Sequence, residues 1–410
     1  MSRIRGVWLK MKYDPAERDL PIIYVSINGS EPLPFYFDTG FSGDVVLYPE
    51  YVDKLGLKVI EKTAIVRDGS GREMPLRYAT IDSLYMPMTN GSRLNINPRA
   101  ILIADKTQDD PQQHANHTAG TVGIAWFREI TMVLDFPRQE LRFYPDSHPP
   151  LTEIPGTVVL PLTKKTSKSN MENQLYVDVP PPGASVAAQP SAAFLVDTGA
   201  TDSSLPEAWI RALNPVWQST SNYTVALGST RQRDLYLLPK LPLGPVEVPD
   251  VLAMATMESA IVDKNLLGLN VLSRFRVTID FRNGFVTLEP TRAITNPPRP
   301  YGTSGVVLQA RTGALYVAQI ARDVVRYSRL GSAEAEQGEL QVGDRVLSIG
   351  ERSTEGMRLA MAQVLLGGYA DTVIPVEVER DGKRLRVLLY PRREDFRHYD
   401  QQRQLLPGRN

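Results

Sequence analysis

The stretch FYFDTGFSGDVVLYP (residues 35–49) runs aromatic residues into Asp38, turns at Thr39 and Gly40, and resumes as an apolar run. Nearly the same phrase returns as FLVDTGATDSSLP (residues 194–206), with Asp197 lying 159 residues after Asp38. A carboxylate at the end of a strand that reads as buried is costly to hold as an anion unless hydrogen bonds or a partner compensate. The same cost incurred twice in one chain asks for one explanation.

A second, longer repeat supplies it. TVGIAWFREITMVLDFPRQELRFYP (121–145) aligns without a gap on LLGLNVLSRFRVTIDFRNGFVTLEP (266–290), at an offset of 145. Gly123 falls on Gly268, Asp135 on Asp280, Phe136 on Phe281 and Pro145 on Pro290, and apolar residues match between them. Each copy alternates like a strand on both sides of a turn, and Arg282-Asn283-Gly284 is a turn signal, so both predict hairpins. The first copy carries 14 more residues between its Asp-Thr-Gly and its Gly, which reads as loop variation inside a duplicated unit. The spacing predicts one unit over 5–148 and a second over 155–292, with proline-rich junctions at 144–156 and 289–302.

Composition narrows the function. The chain has 410 residues, enough for two or three domains, with 42% apolar and 22% charged residues, a globular balance. Formal net charge is zero and no long basic run occurs, so a nucleic-acid partner is not expected. The chain contains no cysteine, which excludes disulfides, thiolate nucleophiles and cysteine-bound zinc. His114 and His117 sit in a polar loop without nearby ligands, so no metal or other cofactor is expected. The opening MSRIRGVWLKMKYD has no apolar signal-peptide core, leaving a cytoplasmic protein or a mature exported form as expectations. No apolar run approaches the ~20 residues that span a membrane.

A twofold relation between the units would bring Asp38 and Asp197 side by side. Two adjacent carboxylates cannot both ionise cheaply and share one proton. One can then act as general base on a water while the other donates to a carbonyl. Thr39 and Thr198 would turn their hydroxyls across the axis, and Gly40 and Gly199 would let the backbone approach closely. Asp135 and Asp280 also match across the repeat, but each stands beside a hairpin and reads as a turn cap or a partner for Arg. Ser42, Ser203 and Ser204 have no His partner in the pattern, which argues against a serine nucleophile.

On these residues each unit resembles a lobe of the retropepsin-like aspartic proteases: an apolar strand, Asp-Thr-Gly, a second strand, an apolar-apolar-Gly segment and a final hairpin. The resemblance spans about residues 20–290 and implies a mainly β fold of two pseudo-twofold-related acid-protease β-barrel lobes in one chain. It implies an aspartic endopeptidase, active as a monomer on protein or peptide substrate, with Asp38 and Asp197 catalytic. It also implies flaps, at Asp68-Gly69-Ser70-Gly71 in the first unit and Gly228-Ser229 in the second. After Asp-Thr-Gly the family usually has Ala, Ser or Thr; Ala200 fits and Phe41 departs. A non-catalytic peptide-binding module, or units that pair between chains, are the alternatives.

Residues 302–391 repeat neither unit. A short helix is expected at 332–340, another at 356–368, and a hairpin at 371–391 turning at Asp381-Gly382. TGALYVAQI (312–320) and QVGDRVLSIG (341–350) resemble a PDZ domain, which implies a C-terminal or internal peptide ligand. The resemblance would put the binding loop at Gly313-Ala314-Leu315-Tyr316, with backbone N–H groups holding a carboxylate. The combination resembles a bacterial regulatory or processing protease.

Overall fold

The computed structural model describes residues 7–14, 20–67, 73–96, 100–104, 118–144, 154–163, 174–182, 192–215, 217–224, 230–256, 265–294, 302–311, 313–320, 339–350, 352–357, 359–367 and 372–393. The chain forms two compact units. The first comprises Met1–Tyr13, Leu20–Asp109 and His117–Pro297. The second holds Pro298–Asn410 with two short segments. The fold is mainly β, as expected, with short helices.

In the first unit the two copies of this repeat, with two outer strands, form a six-stranded sheet in the order Val7–Lys10, Glu140–Tyr144, Thr131–Asp135, Phe275–Asp280, Phe285–Pro290, Val158–Pro161. Both expected hairpins are present, and they join each other at the centre of the sheet. That junction pairs Met132 with Ile279, Val133 with Thr278 and Leu134 with Val277, antiparallel. Val133 therefore faces its own repeat mate, and the flanking pairs exchange under the duplication. A strand pair that maps onto itself carries a local twofold axis, here through Val133 and Thr278. Every residue of Thr131–Asp135 is buried, which suits a central strand, while the edge strand Val158–Pro161 alternates between buried and exposed. The matched Asp residues do close the turns. Asp135 Oδ1 accepts from Arg138 N at 3.2 Å and pairs with the Arg138 guanidinium, and Asp280 Oδ1 accepts from Asn283 N at 3.0 Å.

The remainder of each copy builds its own sheet around one shared motif. Gly120–Val122 runs parallel to Leu33–Phe37 and antiparallel to Val45–Leu47. Leu266–Leu267 stands likewise between Ala192–Val196 and Ser203–Pro206. A short strand thus threads between the two arms of each Asp-Thr-Gly loop. Fully buried Phe35, Phe37, Phe127, Phe143, Phe194 and Phe275 fill the core, and Phe127 stacks on Phe143 at 5.3 Å. Two short helices, Pro49–Lys54 and Glu207–Ala212, follow the loops at equivalent places. Six residues are too few to register as a helical period, although Pro49 at the first turn is a start signal.

The second unit is a sheet in the order Val306–Arg311, Ala314–Ile320, Arg345–Ile349, Ile374–Arg380, Lys383–Leu389. Helix Leu359–Gly367 packs on it, burying Ala362 and Leu366 in a core of its own. The expected final hairpin turns at Asp381 and Gly382, both at positive φ. The expected helix at 332–340 lies almost wholly outside the described residues; Glu339 and Leu340 are not helical. The supposed binding loop differs from expectation. Gly313 sits in the tight turn of a hairpin, and Ala314 pairs with Arg311. Leu315 and Tyr316 are paired on both sides, with Ala310 and Gln309 on one and Val346 and Arg345 on the other. A residue in the middle of a sheet has its N–H committed to the ladder, so these do not form an open carboxylate nest.

The turn before Arg345 is fixed by a buried ion pair. Asp344 receives Arg380 through two bonds of 2.7 Å, and Gln341 N adds a third of 2.8 Å. The Asp344 side chain is 1% exposed. Removing its cation strands a buried carboxylate, a loss of about 3 kcal/mol. Arg380→Leu should speed hydrogen exchange throughout this sheet and leave the six-stranded sheet of the first unit unchanged.

Candidate active site

Each strand that precedes an Asp-Thr-Gly delivers its Asp through the threaded short strand. Asp38 N donates to Val122 O at 2.9 Å, and Asp197 N donates to Leu267 O at 3.0 Å. Next to them the two loops exchange hydroxyls. Thr39 N donates to Thr198 Oγ1 and Thr198 N to Thr39 Oγ1, both at 3.0 Å. Thr39 Oγ1 then donates to Val196 O and Thr198 Oγ1 to Phe37 O, both at 2.7 Å. Exchanging the repeats turns this set of four bonds into itself. Both threonines are buried, so every donor and acceptor in the set is satisfied away from water.

The glycines permit the approach. A Cβ on Gly40 would stand 2.5 Å from the Asp197 carboxyl, and one on Gly199 2.5 Å from that of Asp38. Gly40 N and Gly199 N each donate to Oδ1 of their own Asp at 2.8 Å. Gly123 and Gly268 cross just behind. A Cβ on Gly123 would meet Gly43 O at 2.1 Å, and one on Gly268 would meet Asp202 O at 2.3 Å.

Phe41 is accommodated rather than disruptive. Its ring lies over Gly43 and Gly123, where a Cβ would approach ring atoms at 2.4 and 2.6 Å. The equivalent of Gly43 in the second copy is Asp202, opposite the small Ala200. The large residue and the missing side chain therefore occur together. Phe41 N still donates to Asp38 Oδ1, at 3.1 Å.

Asp38 keeps partial contact with solvent while the protein around its carboxyl removes most of its hydration. Burial pushes its pKa above the ordinary carboxylate range. Hydrogen bonds with the Asp197 side chain and from the N–H groups of Gly40 and Phe41 pull the other way without cancelling that rise. The two carboxyls thus act on each other and titrate as a pair.

Sequence reading missed one polar pair at this site. Gln174 Nε2 donates to Gly40 O at 3.2 Å, and the Tyr176 hydroxyl donates to Gln174 Oε1 at 3.1 Å. Burial, together with the Asp197 charge, pushes the Tyr176 hydroxyl well above the usual tyrosine range. Neither residue lies in a repeated motif, so only the contact reveals them.

Asp68, Gly69, Ser70 and Gly71, and Gly228 and Ser229, lie outside the described residues, as do His114 and His117. The arms of both hairpins are present, with Arg67 opposite Glu73 and Thr224 opposite Thr230. Ser203 Oγ donates to Asn270 Oδ1 and accepts from Gly268 N, a structural role. Among the described residues no group of three or more His, Asp and Glu could hold a metal ion.

Two stretches of the chain match known protein families. Residues 23–111 match a family model described as aspartyl protease, and residues 184–274 match one described as gag-polyprotein putative aspartyl protease. Each match contains one Asp-Thr-Gly. No curated protein matches the chain. Among solved structures the chain is similar to the crystal structure of Basic 7S globulin from soybean, at 12% identity over 72% of this chain and 97% of that one, with a TM-score of 0.42. The two family matches support a protease function in general.

The raised Asp38 pKa has a consequence for stability. A carboxyl whose folded pKa lies above its unfolded value contributes stability that is present below the ordinary carboxylate range and lost as pH rises through the folded pKa. Asp38→Asn removes that loss. The variant should be more stable than the wild type at pH 7, and the difference should vanish near pH 3, as read by denaturant unfolding. Gly40→Ala should destabilise at both pH values, because its methyl group displaces the Asp197 carboxyl.

Proposed function

We propose that the chain is an aspartic endopeptidase that activates water between Asp38 and Asp197. The observation that carries this reading is the reciprocal threonine exchange, which sets two carboxyls from the two repeats against each other. With one proton between them, the ionised carboxyl takes a proton from a bound water. The other donates to the peptide carbonyl as the oxygen gains charge. No covalent intermediate is required. Burial of the pair keeps the shared proton in place at pH values where an isolated carboxyl would have lost it. Both halves of the site come from one chain, so we read the monomer as the active form.

The substrate is a protein or peptide bound extended, beneath the hairpin Lys58–Arg67 with Glu73–Thr80 and its second-copy counterpart. We read the C-terminal unit as a PDZ-type domain that recruits substrate or regulates access. Strand addition is made at a terminal strand, and in its sheet those are Val306–Arg311 and Lys383–Leu389.

Wild type should cut a mixed peptide library with a bell-shaped pH dependence. Activity should fall at low pH as the second proton binds the pair, and at high pH as the shared proton leaves. Asp38→Asn and Asp197→Asn should each lower kcat at least about a thousandfold. Binding of peptides by wild type without cleavage at any pH from 3 to 8 would leave a binding module instead.

A further inference from the structure

The two carboxyls are related by a twofold exchange, yet the reaction needs them to differ. The Gln174–Tyr176 pair breaks the symmetry. Tyr176 pairs with Leu195, and Ile22 pairs with Tyr36; Tyr36 and Leu195 are themselves 159 residues apart. Ile22 and Leu20 are therefore the first-copy mates of Tyr176 and Gln174. Neither has a side-chain donor, so these two positions send no equivalent bond to Gly199 O.

The path of this bond matters. The Gly40 carbonyl belongs to the same peptide group as the Phe41 N–H, and that N–H donates to Asp38 Oδ1 at 3.1 Å. A donor on the oxygen of an amide strengthens the amide's own N–H as a donor. The Gln174 amide has one workable orientation, because a carbonyl can be met only by Nε2. Oε1 then faces the Tyr176 hydroxyl, which remains protonated beside Asp197. The result is a directed chain from Tyr176 through Gln174 and the Gly40–Phe41 peptide to Asp38.

We propose that Gln174, oriented by Tyr176, is a positioning residue that holds the Gly40–Phe41 peptide against Asp38 and so lowers the proton affinity of that carboxyl alone. Asp197 is the titratable group facing Asp38, and Tyr176 in turn faces Asp197. The chain opposes the burial that raises Asp38, which keeps one of two equivalent carboxyls easier to ionise. This inference rests on the protease reading for its catalytic consequence, but not for its effect on the proton.

The test is titration of the aspartate carboxyls by carbon NMR in the full chain, alongside peptide cleavage across pH. In Gln174→Leu, which installs the first-copy residue type, the Asp38 anion loses this support, and the pair should bind its second proton about threefold more tightly. The acid limb of activity should move to higher pH, and kcat should fall about tenfold with KM within twofold. Tyr176→Phe should move both readouts in the same direction by less, and it guards against misfolding of the first variant. Gln174→Glu should match wild type at acid pH, where its protonated carboxyl donates to Gly40 O. It should lose activity relative to wild type as pH rises through the ordinary Glu range. Wild-type titration in both Gln174→Leu and Tyr176→Phe would overturn the proposal. If wild type cuts nothing while Gln174→Leu still tightens the proton, the protease reading fails and the positioning role stands.

Discussion

The reciprocal hydroxyl exchange between Thr39 and Thr198 is the constraint on which the rest of the first unit depends. Each loop is completed by an atom of the other, and each hydroxyl is spent twice, as acceptor from one amide and donor to one carbonyl. Made hydrogen bonds of this kind contribute only about 1 kcal/mol each, whereas a buried amide left without a partner costs about 1–3 kcal/mol. The exchange therefore acts mainly by making every other arrangement of the loops expensive. Once it is made, Gly40 and Gly199 face the opposite carboxyls, and Asp38 and Asp197 must meet. Burial of the pair and sharing of a proton follow from that meeting.

The twofold relation is met again in the strand pair through Val133 and Thr278. There it is a matter of register and apolar burial rather than of polar exchange. The two places use different repeat offsets, 159 at the loops and 145 at the hairpins, because the first copy has a longer intervening segment. A length difference confined to connecting segments leaves both self-matching contacts intact. Where the copies differ inside the site, the differences are compensated or directional. Phe41 is matched by the absent side chain of Gly43. Gln174 and Tyr176 replace apolar mates and aim a donor across to the other loop.

What the sequence made legible was whatever the duplication repeated. The Asp-Thr-Gly loops, Gly123 and Gly268, the hairpins and the turn-capping Asp135 and Asp280 appear twice, and two occurrences separate a signal from chance. The hairpin at Asp381-Gly382 was legible for another reason, a strong local turn preference between alternating strands. Three things were not legible. The joining of both hairpins into one sheet is a long-range pairing with no local signature. The short helices at Pro49–Lys54 and Glu207–Ala212 are below the length at which periodicity speaks. The Gln174–Tyr176 pair occurs once and acts through a backbone carbonyl, which any residue could supply. The Gly313–Tyr316 loop was misplaced because a glycine before an apolar strand reads alike in a binding loop and in a hairpin turn. Only the pairing on both edges of that strand separates them.

Hydrogen exchange at two amides tests the central claim most directly. In Thr198→Val the Thr39 amide loses its acceptor, while the amide at position 198 keeps the Thr39 hydroxyl. In Thr39→Val the reverse holds. The account predicts mirror-image results: fast exchange at Thr39 and retained protection at position 198 in the first variant, and the opposite in the second. Equal acceleration of both amides in each variant, or no change in either, would contradict a reciprocal exchange between the two loops.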